Sequence, residues 1–366
     1  MKLTLFVNHL CNLRCTYCYT GEKVDRRMPD EVMRRAIDFA VNTTTQGYLL
    51  LAFFGGEPLL EPKLIAGALR HARDRCIEKK LQLHTAMTTN GTVLDDERVA
   101  LLKKHGFRVK LSMDGGRAAQ DANRRFVNGR SSYEVVAGGL RRLVAAGIPT
   151  VVGAVLDPNN AHLLGESFDE LVALGATHVT FAPNYTADWS EAARARLEQG
   201  LTALGDRYLA HLRAGREVRV DPLVGKIVTH LDRGAAARAI CRFGVSELAV
   251  APSGRLYPCD RLVNQDDDDA VCIGDLERGL DLEKRDRLLP ARREEPPMCD
   301  GCELKARCKR FCGCANYETT GDPGAVSPVV CAFEQAFIDE ADRVGNVLYA
   351  ERNPVFLKQF YAGRSA

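Results

Sequence analysis

The sequence lacks the marks of a membrane or secreted protein. Its longest uninterrupted apolar run, Tyr48–Phe54, is far shorter than the roughly 20 residues that a membrane-spanning helix needs. The N-terminal segment MKLTLFVNHL contains a single lysine and too short an apolar stretch for a signal peptide. We therefore expect a cytoplasmic protein that does not contact a membrane.

A strong excess of charge is also missing, since 50 basic residues face 48 acidic ones and leave a net charge of +2. No overall field would attract nucleic acid, so we expect no nucleic-acid partner. The chain also has no evident repeat or low-complexity tract. With 366 residues, 46% of them hydrophobic, it is long enough for two or three domains with full cores.

Cysteine, by contrast, is plentiful. The chain has 13 cysteines, an odd number that cannot pair completely into disulfides. In a reducing cytoplasm, clustered cysteines are more often metal ligands than disulfide partners.

Strand-like and helix-like patterns alternate through the first 215 residues. Apolar, β-branched segments occur at 3–7, 48–54, 81–87, 107–113, 149–156 and 177–182. Helical patterns occur at 30–41, 62–80, 95–105, 133–146, 160–174 and 190–214, and a last one at 332–350. Six βα units in series predict an α/β fold with a parallel sheet wrapped by helices. Periodicity alone does not decide between an open doubly wound sheet and part of a barrel.

Three cysteines close to the N-terminus carry the most information. Cys11, Cys15 and Cys18 follow the first predicted strand with the spacing CxxxCxxC, and an aromatic residue, Tyr19, comes next. Structural zinc and most iron–sulfur clusters take four protein ligands, so three thiolates leave one metal position open for chemistry. A zinc site, a disulfide pair and chance are the alternatives.

This spacing resembles the signature of the radical S-adenosylmethionine (radical SAM) enzymes. The resemblance implies a partial (β/α)6 TIM barrel and a [4Fe–4S] cluster whose fourth iron chelates SAM. It also implies that one electron, from an external flavodoxin- or ferredoxin-type donor, splits SAM into methionine and a 5′-deoxyadenosyl radical.

Polar turns follow successive predicted strands, at the edge of the sheet where ligands of such folds bind. By the same resemblance, they would contact SAM. The residues concerned are Gly55, Gly56 and Glu57 in FFGGEPLL, Thr89 and Asn90 in TTNGT, Ser112 and Asp114 in LSMDGG, and Arg124 in DANRR.

The second half has a different composition, with nine cysteines from Cys241 to Cys331 among glycine- and proline-rich turns. Their spacing is similar to the seven-cysteine signature of the SPASM domain, which carries two auxiliary iron–sulfur clusters. The resemblance implies an outer cluster held by Cys299, Cys302, Cys308 and Cys331. It also implies an inner cluster held by Cys241, Cys259 and Cys312, so that the chain would hold three [4Fe–4S] clusters.

The fourth ligand of the inner cluster is less directly indicated. Sulfatase-maturating enzymes place a further cysteine between the first two, whereas 242–258 contains none here. We expect Cys314, two residues after Cys312, to take this place, as in the similar Cys-x-Cys of the radical SAM enzyme of pyrroloquinoline quinone biosynthesis. Cys272 and an open site are alternatives, and structural zinc would also suit the spacing of this half.

These patterns divide the chain into four parts. We predict a radical SAM partial barrel at 1–215, a bridging segment at 216–240, a SPASM domain at 241–335, and a C-terminal helix and tail at 336–366.

Asp260 follows Cys259 directly, in a segment that resembles YxCDxxV of the anaerobic sulfatase-maturating enzymes. We expect its carboxylate to be the catalytic base that takes a proton from the substrate radical. Alternatively, Asp260 only caps a turn or pairs with Arg261.

The resemblance implies a maturase that oxidises or crosslinks a peptide or protein substrate, in the branch that also modifies ribosomal peptides. Dehydrogenation of a sugar or alcohol and a non-catalytic electron-transfer role are the alternative functions. Because the first strand begins at residue 3, we expect no N-terminal peptide-recognition module. A leader peptide would then be bound elsewhere, be bound by a separate recognition protein, or not be used.

Overall fold

The structure is a computed structural model that describes residues 1–232, 241–289, 297–310 and 312–362. In this part of the chain, nine strands form one sheet in the order β11-β10-β1-β3-β4-β5-β7-β8-β9, and two pairs of short strands lie outside it. In this spatial order, all adjacent strands between β10 at one side and β9 at the other are parallel. Only β11 runs antiparallel, against β10. The strands are β1 (Lys2–Phe6), β2 (Leu13–Cys15), β3 (Tyr48–Phe54), β4 (Gln82–Thr89), β5 (Arg108–Ser112), β6 (Arg124–Phe126), β7 (Thr150–Leu156), β8 (His178–Pro183), β9 (Arg219–Asp221), β10 (Glu247–Val250), β11 (Leu256–Tyr257), β12 (Gly274–Asp275) and β13 (Gly279–Leu280).

Helices connect the parallel strands and continue into the second half. They are α1 (Asp30–Thr43), α2 (Pro62–Glu78), α3 (Asp96–Lys104), α4 (Arg117–Asn123), α5 (Tyr133–Ala145), α6 (Leu164–Ala173), α7 (Glu191–Arg213), α8 (Leu223–Leu231), α9 (Leu282–Leu288), α10 (Gly313–Thr320), α11 (Pro328–Ala350) and α12 (Pro354–Tyr361). Single 3-10 turns lie at Pro58–Leu60, Ala161–Leu163, Asp260–Leu262 and Pro297–Cys299.

Local sequence explains where these elements begin and end. The Asp95 side chain accepts a hydrogen bond from the backbone N–H of Arg98 at 2.8 Å and so caps α3. Acidic residues follow in the first turn of α3 and lysines close its last turn, as the helix dipole favours. The Ser190 and Ser327 side chains cap the long helices α7 and α11 in the same manner.

The α/β prediction of a parallel sheet wrapped by helices is confirmed, and the six predicted strands all lie within two residues of their predicted ranges. The short strands β2 and β6 were not predicted. The sheet is larger than predicted, because β9 and β10 join its two sides. Three- and four-residue strands are too short to show a periodic pattern. None of the helices in the described ranges is long and apolar enough to cross a membrane.

The cysteine-rich half is continuous with the barrel. Glu247–Val250 pairs in parallel with Lys2–Leu5, so β10 covers the side of β1 that faces away from β3. The predicted divisions at 215 and 241 therefore do not coincide with breaks in the sheet, and the division into four parts stays a prediction. The end of the bridging segment, 233–240, and the last tail residues, 363–366, lie outside the described residues.

A buried polar network joins the bridging helix to the outer cysteine segment. Lys226 Nζ on α8 donates to Glu334 Oε2 on α11 at 2.5 Å and to the Arg307 carbonyl at 2.9 Å. Glu334 Oε2 also accepts the backbone N–H of Lys309 at 2.6 Å. The side chains of this ion pair are only 2% and 5% exposed. Asp342 on α11 accepts two hydrogen bonds from Arg307 at 2.6 Å each.

Candidate functional site

The three N-terminal cysteines lie on the loop at the carboxyl end of β1. This loop is held on one side by a short ribbon in which Leu13–Cys15 pairs with Arg124–Phe126 and Cys15 lies opposite Arg124. On the other side it is hydrogen-bonded to the turn after β3. The Gly56 N–H donates to the Asn8 carbonyl and the Glu57 N–H to the Leu10 carbonyl, both at 2.8 Å.

The two glycines of this turn make the close approach possible. A Cβ at Gly55 would lie 2.4 Å from the Asn8 carbonyl oxygen, and a Cβ at Gly56 would lie 2.1 Å from that of Leu10. Gly55 also has a φ of +138°, which side chains rarely tolerate. Glycine is therefore needed here for the turn to pack against the backbone that precedes Cys11.

Glu57 is fully buried and organises the turn from inside. Its Oε1 accepts the Leu59 N–H at 2.9 Å and the Thr89 hydroxyl at 2.8 Å, and its Oε2 accepts the Asn90 N–H at 2.7 Å. Burial raises the pKa of Glu57 to about 7, because these donors offset only part of the desolvation. The carboxylate thus joins the ends of β3 and β4, and its predicted contact with SAM stays a prediction.

Each thiol of the triad has a polar neighbour. Asn90 Nδ2 donates to Cys11 Sγ at 3.5 Å, Arg124 Nη1 lies 3.9 Å from Cys15 Sγ, and Thr20 Oγ1 lies 3.2 Å from Cys18 Sγ. Burial raises the pKa of Cys11 to about 12 and also raises the pKa of Cys15.

The pKa of Cys18, in contrast, is lowered. Burial would raise it, but Lys23 and the hydrogen bonds from Thr20 outweigh that effect. Cys18 is therefore the thiol of the triad that ionises most readily without a metal.

Behind the triad, Asp114 anchors Arg124. Asp114 Oδ1 accepts Arg124 Nε at 3.0 Å and the Val155 N–H at 2.9 Å, and Oδ2 accepts the Tyr17 hydroxyl. The Arg124 guanidinium lies 5.1 Å from the centre of the Tyr17 ring. Tyr17 was not predicted as a site residue, although an aromatic residue between the second and third cysteines was a visible signal.

One cavity brings most of the predicted residues together, and we call it the thiol cavity. Asp260, from the second half of the chain, lies in its wall, with Arg261 next to it. Glu57 and Asp114 are buried outside the lining. The predicted residues that line it are Cys11, Cys15, Cys18, Gly55, Gly56, Thr89, Asn90, Ser112, Arg124 and Asp260.

Arg261 links the two halves of the chain at this cavity. Its guanidinium lies 4.7 Å from the centre of the Tyr19 ring and donates to both carboxylate oxygens of Glu318 on α10, at 3.0 and 2.5 Å. Arg261 therefore pairs with Glu318, and the alternative of an Asp260–Arg261 pair has no ion-pair contact in the described ranges.

The cysteines predicted to hold the inner cluster lie close to one another. Cys312 Sγ and Cys314 Sγ are 3.7 Å apart, and Cys314 also hydrogen-bonds with Cys259. Cys241 interacts electrostatically with Cys259 and Cys312. Cys272 instead donates to the Gly274 carbonyl at 3.2 Å. This arrangement supports Cys314 over Cys272 as the fourth member, which stays a prediction.

The outer set lies beside the network of Lys226 and Glu334. Cys308 interacts with Glu334, and Cys331 on α11 interacts electrostatically with Cys302. The Cys302 N–H donates to the Cys299 carbonyl at 3.2 Å. All 13 cysteines are free thiols.

The donor chemistry of the predicted cysteine sets suits iron–sulfur clusters, and all-thiol sites also bind structural zinc. Each predicted set consists only of thiols, the usual ligands of such clusters. Within the ranges that the structure describes, no three His, Cys, Asp or Glu side chains are grouped so that they could hold one metal ion. A cluster needs its thiolates farther apart than a single metal ion does, because each thiolate binds a separate iron.

Comparison with known proteins identifies the class. Residues 5–171, which contain the triad and the turns after β3, β4 and β5, match the radical SAM superfamily. This segment of the chain is therefore a radical SAM domain, and such a domain implies SAM and a [4Fe–4S] cluster.

Two curated relatives are similar to most of this chain. The chain is 28% identical over 276 residues to the serine-type anaerobic sulfatase-maturating enzyme of Klebsiella aerogenes, covering 69% of this chain and 65% of that enzyme. It is 25% identical over 334 residues to the PqqA peptide cyclase of Streptomyces rochei, covering 88% of this chain and 86% of the cyclase. Three curated relatives are matched over only 50 to 65% of their length.

Solved structures share the fold. The structure of native anSMEcpe with bound AdoMet superposes with a TM-score of 0.81 at 21% identity, covering 95% of this chain and 99% of that one. Streptococcus suis SuiB bound to its precursor peptide SuiA superposes with a TM-score of 0.59 at 17% identity, covering 90% and 75%.

Proposed function

We propose that the protein is a radical SAM maturase that removes a hydrogen atom from a peptide or protein substrate, which is then oxidised or crosslinked. One observation carries the proposal: the thiols of Cys11, Cys15 and Cys18 share a cavity with Asp260, a carboxylate from the far end of the sequence. Ligands for a radical-generating centre and a candidate base therefore face the same space.

In this proposal the triad holds a [4Fe–4S] cluster that, with SAM bound, supplies the 5′-deoxyadenosyl radical. Asn90 and Arg124 hold the thiols of Cys11 and Cys15 through the contacts described above. The turn at Gly55 and Gly56 packs closely against the backbone before Cys11 and lines the space in which SAM would bind. The inner and outer cysteine sets hold the two auxiliary clusters.

Asp260 is the proposed base. It begins a 3-10 turn directly after Cys259, and that backbone connection keeps its carboxylate close to the inner set. Once hydrogen abstraction has made a substrate radical, Asp260 would accept a proton from it. The inner cysteine set beside Asp260 would hold a cluster that supplies an electron acceptor there. General bases contribute about 10²–10⁴-fold to rates.

The substrate class rests on similarity. The relatives named above are a sulfatase-maturating enzyme and a peptide cyclase, and SuiB has been solved with a precursor peptide. We propose a peptide or protein substrate for this chain, an external flavodoxin- or ferredoxin-type electron donor, and a separate recognition protein if a leader peptide is used.

The test uses anaerobically reconstituted protein with SAM and dithionite. The wild type should form 5′-deoxyadenosine and bind close to three [4Fe–4S] clusters. A variant with Cys11, Cys15 and Cys18 all changed to alanine should form none, yet keep roughly two-thirds of the iron, since two of three ligand sets remain. Iron for a single cluster in the wild type, with zinc at the other sites, would contradict the proposal.

A further inference from the structure

A second cavity lies at the amino ends of the barrel strands, and we call it the basic cavity. It has a volume of about 650 Å³ and shares Phe54, Thr88, Lys110 and Asp260 with the thiol cavity. Lys110 and Asp260 thus lie where the two cavities meet.

Most of the charge in the basic cavity is positive and uncompensated. The lining contains two acidic residues, Asp260 and Glu217, and Glu217 pairs with Lys358 at 2.5 Å. Lys2 pairs with Glu247 at 3.2 Å. Three further cations line the cavity, and their side chains make no ion pair or hydrogen bond with the described residues: Arg108, Lys110 and Arg219.

The alternation of strand β5 places two of these cations in the barrel. The Val109 and Leu111 side chains belong to the hydrophobic core, and Val109 also borders the basic cavity. Arg108, Lys110 and Ser112 alternate with them on the other face of the strand and line the cavities. Of the two cations, only Lys110 reaches both cavities.

The neighbouring strand leaves room for Lys110. A Cβ at Gly153, in the middle of β7, would lie 2.5 Å from Lys110 Cε and 3.3 Å from Cγ. Glycine weakens a strand interior and often marks a close approach. The stem of Lys110 therefore lies across Gly153, which directs its ammonium group along the cavity. The Lys110 side chain is exposed to the cavity, and desolvation by the surrounding barrel lowers its pKa, which the charge of Asp260 offsets only in part.

We propose that Lys110 binds a carboxylate of the substrate at the floor of the thiol cavity, next to Asp260. The inference rests on the proposed function, because the carboxylate would belong to an acidic residue of the peptide. An unpaired ammonium group in a partly desolvated space binds an anion through a charge-assisted hydrogen bond. Asp260 would repel a phosphate, which concentrates up to two charges on one group, more strongly than a carboxylate group, which carries a single charge.

Arg108 and Arg219 would act at longer range. They lie at the far end of the basic cavity and raise the positive potential along it.

Isothermal titration of the SAM-loaded holoenzyme tests this with three probes: glutarate for an acidic side chain, glutaramide as its neutral analogue, and inorganic phosphate. We expect glutarate to bind and glutaramide not to bind. Lys110→Met should weaken glutarate binding at least tenfold, the scale of one hydrogen bond to a charged group. Lys110→Arg should keep most of the affinity.

Two further variants separate a specific site from a general effect. Gly153→Ala keeps the charge but displaces the stem of Lys110, so it should also weaken glutarate binding. Lys103→Met removes an exposed lysine in the last turn of α3 and should bind like the wild type. Iron content and Tm of each variant establish that it has folded.

Three results would overturn the inference: no glutarate binding by the wild type, binding by Lys110→Met within twofold of the wild type, or tighter binding of phosphate than of glutarate. Loss of SAM affinity in Lys110→Met without loss of glutarate affinity would also overturn it. Formation of 5′-deoxyadenosine by the wild type is measured separately. Glutarate binding without SAM cleavage would support the carboxylate site while contradicting the proposed function.

Discussion

Replacing Lys226 by methionine should destabilise the second half of the protein and release its outer cluster. The change keeps the volume of the side chain but leaves the Glu334 carboxylate buried without its cation, and it frees the Arg307 carbonyl. Breaking one side of a buried ion pair costs about 3–5 kcal/mol. With an unfolding entropy of about 2.1 cal/mol/K per residue, a chain of 366 residues loses roughly 4–7 °C in Tm.

The assay is thermal melting of holoenzyme together with iron analysis. Glu334 accepts the N–H of Lys309, next to Cys308, and lies one turn after Cys331 on α11. Loss of its ion pair with Lys226 should therefore lower the amount of iron that the protein retains. Changing Glu334 to glutamine in the same chain should restore part of the Tm, because the uncompensated charge is gone.

Lys358→Met, which breaks an exposed pair with Glu217, is the matched control and should change stability by less than about 1 kcal/mol. A Lys226→Met variant that melts within 1 °C of the wild type and keeps all its iron would show that the buried pair does not stabilise the second half of the protein.

Three other perturbations address the site. Because the pKa of Glu57 is raised from 4.5 to about 7, its protonation stabilises the fold at low pH, and up to roughly 3 kcal/mol is lost as the pH rises from about 4.5 to about 7. Glu57→Gln should flatten this part of the Tm–pH curve, and an unchanged curve would contradict the assignment. Gly56→Ala brings a Cβ within 2.1 Å of the Leu10 carbonyl oxygen and should displace the triad loop, which iron analysis and 5′-deoxyadenosine formation would detect as loss of the SAM-binding cluster alone. Asp260→Asn should still cleave SAM but yield about 10²–10⁴-fold less modified peptide, and equal yields of product would leave Asp260 with a structural role only.

Long periodic segments could be predicted from the sequence because each buries one face of a helix or both faces of a strand. This explains why the apolar run at Tyr48–Phe54 and the helix over Pro62–Glu78 were found. Strands β9 and β10 could not be found this way, since they are three and four residues long and depend on neighbours distant in the sequence.

At the site, residue types and spacing indicated which turns meet, but not which way each side chain points. The turns with Glu57 and Asp114 lie at the strand ends, yet both carboxylates accept hydrogen bonds from protein groups and are not part of the cavity lining. Conversely, Lys110 lies in an ordinary strand pattern and enters the cavity only because β5 alternates and β7 has a glycine opposite it. Such orientations depend on tertiary contacts between separate segments.

The pairing of β10 with β1 also affects how the chain folds during synthesis. Strand β1 is made first, but its β10 neighbour at Glu247–Val250 follows some 245 residues later. At about 5–20 residues per second, one side of the strand that leads into the cysteine triad stays uncovered for roughly 10–50 s. An uncovered strand edge can pair with other chains. We therefore expect expression yield to fall sharply in truncated chains that end before residue 250.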